Sequence, residues 1–387
     1  RSLPHSLYDS YHKDLSMDIV SRYISDDVPF VRVSAPMVRY SKLPFRLLVR
    51  KHNVDLAYSP MIMSDSFLHS EQVRAIEFTT CPEDRPLIVQ LACKTGPDFE
   101  RCCELLLNQC DGVDINCGCP QSWAMKDGYG AAMLKQPELI ADLVKAGRSV
   151  VPRWRCPADA ADHNKHPTAD QPISLPFSLS IKVRLVPTSS SRATGADSSE
   201  ENNVKLTVEL IRRAAAMGLD WVTIHGRTPS QRTSNPCQWE AIHDIIAARI
   251  PHLEHGCAPM PIFLNGDVTS IEDAWRAHQL TDCRGVMVAR GLLANPALFD
   301  PNVAGNGESE HKFRGTCSLL REWLELTTEH SNSTLFKNIH RQAYWMLERH
   351  LNKARRKVLH EISDVAGLYN FLHLQCPNTY PSETVQT

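Results

Sequence analysis

The chain predicts an α/β fold, a (β/α)8 TIM barrel followed by a small C-terminal all-helical domain. Three observations carry that reading. Eight short β-branched runs recur between residues 31 and 291, most are followed by a segment of helical periodicity, and the alternation stops beyond Pro301. The runs are apolar through their centres, as parallel strands covered on both faces must be.

In chain order the runs are VRVSAPM (31–37), LAYSPMI (56–62), LIVQLA (87–92), GVDINCG (112–118), LSIKVRL (179–185), WVTIHGR (221–227), PIFLNGD (261–267) and GVMVARG (285–291). PFRLLVRKH, DFERCCELLLNQC and PELIADLVKAGRS supply helices after the first, third and fourth runs. VKLTVELIRRAAAMG, QWEAIHDIIAAR and IEDAWRAHQL continue the alternation after the fifth, sixth and seventh. The division expected is an N-terminal extension over 1–29, the barrel over 30–305 and a helical domain over 306–387. Two stretches inside the barrel, about 149–178 and 187–203, are rich in Pro, Ser, Asp and Asn. They are too polar to bury and are expected as loop insertions flanking the fifth strand, the first carrying Arg153, Trp154 and Arg155.

In the helical region Ile339, Ala343, Met346, Leu347, Leu351, Ala354 and Val358 recur at three- and four-residue steps and are expected to pack inward. Arg341, Trp345, Arg349, Asn352 and Arg356 fall on the opposite face. Between 337 and 357 stand seven Lys or Arg residues and one acid, Glu348. Basic residues around an exposed aromatic suit a nucleic-acid surface, with a solvated helix face as the alternative.

Composition limits the partners. With 42 Lys+Arg against 44 Asp+Glu the formal charge is -2, so any site for a polyanion must be a local patch. No apolar run is long enough to cross a bilayer, and RSLPHSLYDSYHKDL lacks the apolar core of a signal peptide. The expected setting is cytoplasmic, with the nucleus also open. Thirteen cysteines are an odd number at irregular spacings, which favours reduced thiols over a disulfide framework. Cys102, Cys103, Cys110, Cys117 and Cys119 fall close together, yet no CxxC pair recurs, and no metal is expected.

In such a barrel the active site lies at the C-terminal strand ends, which here read APM, SPM, QLA, NCGCP, KVR, HGR, NGD and ARG. Gln90, Asn116, Cys119, Lys182, His225, Arg227, Asn265, Asp267 and Arg290 therefore gather on one rim. FLNGD and VMVARG put glycines where the seventh and eighth strands leave the barrel, the usual phosphate cradle of this fold. A phosphorylated cofactor fits there. Lys182 places a cation in the mouth, able to stabilise negative charge on a bound anion or a reduced ring. His225 can serve as a phosphate donor, a general acid or a core histidine satisfied by backbone. Gln90 offers a paired donor and acceptor, suited to the edge of a heterocycle.

APMVRYSKLPFRLLVRKH, DINCGCPQSWAMKDGYGAAML, IKVRL, VTIHGRTPSQRTSNPCQWEAI, FLNGDV and VMVARGLLANPALF, in that order over residues 30 to 300, resemble the tRNA-dihydrouridine synthases, flavin enzymes of the barrel class. The tail, without an added zinc-finger or double-stranded-RNA module, and SPMIMSDSF are most similar to the eukaryotic branch acting at uridines 20a and 20b.

The resemblance implies FMN as the bound cofactor, NADPH (or NADH) as its reductant and tRNA as the partner, with no membrane or metal and a monomeric protein. The family motif NxGCP falls on Asn116, Gly118, Cys119 and Pro120. It makes Cys119 the catalytic acid that supplies a proton to C5 of a uracil while reduced FMN delivers hydride to C6. A free thiol, with a pKa near ~8.5, holds a proton at neutral pH. Cys117 takes the variable position and is expected as a small buried apolar residue. By the same resemblance Pro36 and Met37 floor the flavin, and Gln90 and Lys182 hold its pyrimidine edge. His225, Asn265, Gly266, Asp267, Ala289, Arg290 and Gly291 hold the ribityl chain and phosphate, and Asn116 and Arg227 face the substrate uridine. Arg341, Arg349 and Arg356 are expected to grip the tRNA backbone while the uridine is extruded. A flavin barrel reducing a small molecule, such as a dihydropyrimidine or an enone, and a non-catalytic RNA-binding protein are the alternatives.

Overall fold

A computed structural model describes residues 19–151, 177–188, 196–252, 258–303, 309–330 and 334–375. Its parallel strands are β1 (Val31–Ser34), β2 (Leu56–Tyr58), β3 (Ile62–Met63), β4 (Leu87–Ala92), β5 (Gly112–Cys117), β6 (Ser178–Arg184), β7 (Trp221–His225), β8 (Ile262–Asn265) and β9 (Gly285–Val288). Strand β1 pairs with β2 and β9, and β2 also pairs with β4, so the sheet closes into a barrel of eight staves. The second stave is broken into β2 and β3, and β3 pairs with β4 alone. Pro60 stands in the break, where its missing N–H cannot serve a ladder.

The surrounding helices are α1 (Leu43–Lys51), α2 (Ser64–His69), α3 (Glu71–Glu77), α4 (Gly96–Leu106), α5 (Ser122–Lys126), α6 (Pro137–Val150), α7 (Ala196–Ala215), α8 (Trp239–Ala247), α9 (Ile271–Thr281) and α10 (Arg290–Ala294). Side chains start several of them as the sequence suggests: the hydroxyls of Thr95 and Ser270 accept from the backbone N–H of Asp98 and Asp273. Helix α7 begins earlier than expected. Residues 196–203 continue it as helix instead of belonging to a loop, with Glu200 and Glu201 near its start, where the helix dipole favours acids. Residues 189–195 of the polar stretch before it, and the Arg153–Trp154–Arg155 cluster, lie outside the described residues.

Strand parity divides the core. Leu87, Val89, Leu91, Val113, Ile115, Cys117, Leu179, Ile181 and Val183 turn outward and merge with the helices in one apolar cluster. Val31, Val33, Leu56, Tyr58, Ile88, Trp221, Phe263 and Met287 turn inward and fill the barrel, closed at the N-terminal end by Ile19 and Val20. Trp221 stacks on Phe263 at 5.6 Å, and its Nε1–H donates to the Tyr58 hydroxyl at 2.9 Å. Higher along the same inward rows stand Gln90, Asp114, Asn116, Ser180, Lys182, Arg184 and His225. The barrel thus has an apolar floor and a polar mouth.

After the barrel come α11 (Ser309–Glu329), α12 (Phe336–Leu347), α13 (Lys353–Glu361) and α14 (Val365–Gln375). The stripe expected from Ile339 to Val358 is not one helix. It breaks between Leu347 and Lys353, where the Asn352 side chain accepts from the N–H of Arg355 at 2.9 Å and starts a new helix. The break shifts the register: Ala354 and Val358 are exposed, and Leu359 is buried in place of Val358. Trp345 is half-buried rather than exposed. It packs against the core, and its Nε1–H donates to the Tyr40 hydroxyl at 3.3 Å.

Helix α11 joins the tail to the barrel by laying Trp323 against Phe45 of α1, edge to face, with ring centroids 6.3 Å apart. Replacing Trp323 by Ala is expected to cost about 3–5 kcal/mol, because a buried indole leaves a cavity. Thermal unfolding of Trp323→Ala should show a lower Tm with barrel and tail still melting together. A wild-type Tm would mean that this contact does not hold the tail.

Candidate active site

The CGC stretch shows how parity decides chemistry. On β5, Asp114 and Asn116 point into the barrel, while Val113, Ile115 and Cys117 face the helices. Cys117 is fully buried there, and burial pushes its thiol well above the usual range. Cys119 comes after the strand has ended. It packs beside Met61, Met63, Ala92, Ala124 and Tyr129 at the mouth. Its carbonyl accepts from the N–H of Ala131 at 3.0 Å, and Gly130, at φ +62, lies so close that a Cβ there would meet the Cys119 carbonyl oxygen at 2.7 Å.

A hydrogen-bonded chain runs from the barrel interior to this loop. Gln90, Asp114 and Ser180 are register neighbours on β4, β5 and β6. Gln90 Nε2 donates to Asp114 Oδ2 at 2.8 Å, and the Ser180 hydroxyl donates to Asp114 Oδ1 at 2.7 Å. Asn116 Nδ2 donates to Gln90 Oε1 at 2.8 Å. Asn116 Oδ1 in turn accepts from the N–H groups of Gly118 at 3.2 Å and Cys119 at 2.9 Å. Asn116 and Gln90 thus spend much of their hydrogen bonding on each other and on the loop. Among the described residues, each amide keeps one N–H unspent.

Lys182 is the register neighbour of Asn116 on β6, and its Nζ has no hydrogen-bond partner among the described residues. Burial pulls its pKa down to about 8, helped by the Arg184 cation and opposed by Asp114. Burial pushes Asp114 up to about 6, restrained by its bonds from Ser180 and Gln90 and by Lys182. Arg184 clamps two rim loops, donating to the carbonyls of Gly118 and Thr228, both at 3.0 Å.

Beyond β7 and β8 the residues expected at a phosphate form a second cluster. Asp267, at φ +55, accepts from Arg227 at 2.5 Å and from the N–H of Cys237 at 2.8 Å, and its other oxygen meets Arg290 at 3.3 Å. Burial raises its pKa, but these donors outweigh that and hold it below the usual value. Asn265 donates to the carbonyl of Met287 at 2.7 Å and ties β8 to β9. Gly266, at φ +124, lies against Cys237 and the His225 ring, and Gly291 against Val268 and Leu298, with no room for a Cβ at either. Ala289 precedes α10, whose first residue is Arg290, 48% exposed at its side chain. At the first strand's exit, Pro36 and Met37 are half-buried, and the Ser41 hydroxyl fixes the backbone of Met37 at 2.9 Å.

Arg227 departs from the expectation that it faces substrate. It is 1% exposed, and its guanidinium is spent on Asp267, the Asn235 carbonyl and His225 Nε2. It braces the rim. Because Arg227 can only donate, His225 Nε2 must accept, which puts the histidine's proton on Nδ1. Burial first, and then Lys182, Arg184, Arg227 and Arg290, pull the His225 pKa down to about 2. The ring is a neutral N–H donor.

Two cations with donors to spare, Lys182 and Arg290, and one neutral N–H, that of His225, make a donor set that fits an anionic, phosphorylated cofactor. The dihydrouridine synthase family model matches residues 33–158 and 179–379. The chain belongs to the dihydrouridine synthase family. It is 36% identical over 342 residues to the NAD(P)+-dependent tRNA-dihydrouridine(20a/20b) synthase-like protein of Mus musculus, covering 88% of each chain. The corresponding 20a/20b synthase of Schizosaccharomyces pombe is 34% identical over 269 residues, 70% of this chain and 68% of that one. The 16/17 synthase-like protein of Mus musculus is 27% identical over 351 residues, 89% of this chain and 62% of that one.

For a member of the dihydrouridine synthase family, several site residues escape the sequence reading. Asp114 and Ser180 are legible only once β5 and β6 are set in register. Tyr129 donates to Asp65 Oδ2 at 2.7 Å, and Lys94 Nζ lies 4.7 Å from the centroid of its ring. Trp123, 47% exposed on α5, stands four residues after Cys119. An apolar ring in a polar, glycine-rich stretch was the available signal.

The His225 assignment has a direct test. Since its pKa lies below the unfolded value, the native imidazole stays neutral while the unfolded one gains a proton below pH ~6.5, so this group's contribution to stability is lost as pH falls. In NMR titration the His225 ring resonances should stay flat from pH 8 to the acid limit of folding. A midpoint near the ordinary histidine value would contradict the arrangement.

Proposed function

We propose that this chain reduces uridines 20a and 20b in the D-loop of tRNA to 5,6-dihydrouridine, with FMN as the bound cofactor and NADPH or NADH as reductant. The observation that carries the reading is Cys119, fixed at the barrel mouth by Asn116, the register neighbour of Lys182. An FMN bound there would, once reduced, supply the hydride for C6 of the uracil ring. Lys182 offers its unpaired ammonium to the flavin's pyrimidine edge and to negative charge on the ring. Gln90 presents its remaining N–H to the same edge. His225 Nδ1–H and Arg290 hold the ribityl and phosphate end, with Asp267 aiming Arg290. Cys119 holds a proton over the substrate and delivers it to C5. The remaining Asn116 N–H faces the uridine.

The tail supports a tRNA substrate. Helix α12 lies against the rim, since Gln342 donates to the carbonyl of Leu293 at 2.9 Å and Trp345 to Tyr40, whose N–H is bonded to Met37. Arg341 is half-buried on α12, while Arg349 and Arg356 are exposed beyond it. These cations grip backbone phosphates while a uridine is turned out of its stack. Assignment to positions 20a and 20b follows the higher identity to the relatives bearing that name. The setting is the cytoplasm or the nucleus, where tRNA is available.

Cys119→Ala should keep FMN and be bleached by NADPH at the parent rate, yet form dihydrouridine at least about a hundredfold more slowly, the usual effect of losing a general acid. Cys117→Ala should be nearly silent. The reverse pattern would transfer the role to Cys117 and overturn the mechanism.

Reversing Arg341, Arg349 and Arg356 to Glu should leave the flavin spectrum and NADPH oxidation intact. Affinity for tRNA should fall and depend less steeply on salt, because fewer counterions are released. If the triple variant binds tRNA like the parent, the basic face is solvated and the RNA is held elsewhere.

A further inference from the structure

We propose that Asp114 is a positioning residue for Cys119, acting through Gln90 and Asn116 by fixing which way each amide points. The proposal rests on the reading of Cys119 as the group that meets the substrate. Asp114 is fully buried inside the barrel, between its register neighbours Gln90 and Ser180. An ionised carboxylate can only accept hydrogen bonds. Gln90 must therefore turn Nε2 toward it, at 2.8 Å, which leaves Oε1 facing Asn116. Asn116 must answer with Nδ2, at 2.8 Å, and its Oδ1 is thereby turned to the loop, where Gly118 and Cys119 offer backbone N–H groups at 3.2 Å and 2.9 Å.

A terminal amide rotates between two orientations of the same shape, so packing alone does not choose between them. Here both ends of the chain choose. The carboxylate accepts only, and the backbone N–H groups donate only. With both amides turned over, Gln90 Oε1 faces the Asp114 carboxylate and Asn116 Nδ2 faces two N–H groups. Only the observed orientation satisfies every link, and it ends on the residue that must be held at the substrate. Asp114 is fully buried just above the apolar floor, so a carboxylate here costs desolvation that an apolar filler would avoid. Its second capacity is to face the Lys182 cation, and the variants below separate the two.

Asp114→Leu keeps much of the volume and removes the acceptor. Iodoacetamide labelling, followed by peptide mass spectrometry of Cys119, reads the loop without any turnover. In Asp114→Leu labelling should be faster by about tenfold, the worth of a hydrogen bond to a charged group. Dihydrouridine formation should fall by a similar factor while bleaching by NADPH changes little. Asp114→Asn restores the relay without the charge: its carbonyl accepts from Gln90 and its amide donates to the Ser180 hydroxyl. It should return labelling toward the parent rate. If it behaves like the Leu variant, the charge beside Lys182 is what matters and the relay is wrong. Gln90→Met cuts the same chain one link nearer the cysteine with Asp114 intact, and should also speed labelling. Parent-rate labelling in Gln90→Met overturns the proposal even if Asp114→Leu fails to fold. A protein that makes no dihydrouridine but shows this labelling pattern would refute the function and keep the relay.

Discussion

Between Gly112 and Cys117 every second side chain turns into the barrel, and this alternation is the constraint on which the site depends. It puts Asp114 and Asn116 inside and sends Cys117 out among the helices. The same rule on β6 gives Ser180, Lys182 and Arg184 to the interior, and on β7 Thr223 and His225. Because the strands are parallel and in fixed register, these residues climb the wall side by side: Gln90, Asp114 and Ser180 at one height, Asn116, Lys182 and Thr223 at the next. A slip of one residue on β5 would exchange the relay for Val113, Ile115 and Cys117.

Charge at the mouth is managed by giving most cations a fixed task. Arg184 and Arg227 are buried, and a buried guanidinium without partners would be costly. Arg184 meets that cost with two loop carbonyls, and Arg227 with Asp267, Asn235 and His225. Asp267, after β8, links Arg227 to Arg290 and so ties together the loops that follow β7, β8 and β9. Burial first, and then Lys182 together with these arginines, keeps His225 neutral. Lys182 is different, because its Nζ has no hydrogen-bond partner among the described residues, and burial, with Arg184, outweighs the attraction of Asp114. An ammonium held in that way is available to a ligand, and lowering its pKa keeps it close to neutral-pH titration.

The eight staves were legible because each is a short β-branched run, and because helical periodicity follows most of them. The break at Pro60 altered one stave without disturbing the count. Lys182, His225 and Cys119 could be placed at strand ends by position alone. What position could not give was commitment. Arg227 stands at a strand end like a ligand-facing group, yet Asp267 and Asn235, distant in sequence, take its guanidinium. Asp114 looked like one acid in an apolar run until Ser180 and Gln90 came alongside. The tail misled for a local reason: an apolar stripe with helical spacing continued through Asn352, whose side chain can start a helix as readily as sit inside one. Val358 then fell on the solvent side and Leu359 took its place.

The polar mouth of this barrel is proposed to act on a uracil ring within tRNA. Mass spectrometry of nuclease fragments from unmodified tRNA, before and after incubation with the FMN-loaded protein and NADPH, tests it most directly. The predicted result is a D-loop fragment heavier by two hydrogens, with the gain at uridines 20a and 20b. Unchanged tRNA in a reaction that consumes NADPH on a free pyrimidine or an enone would contradict it.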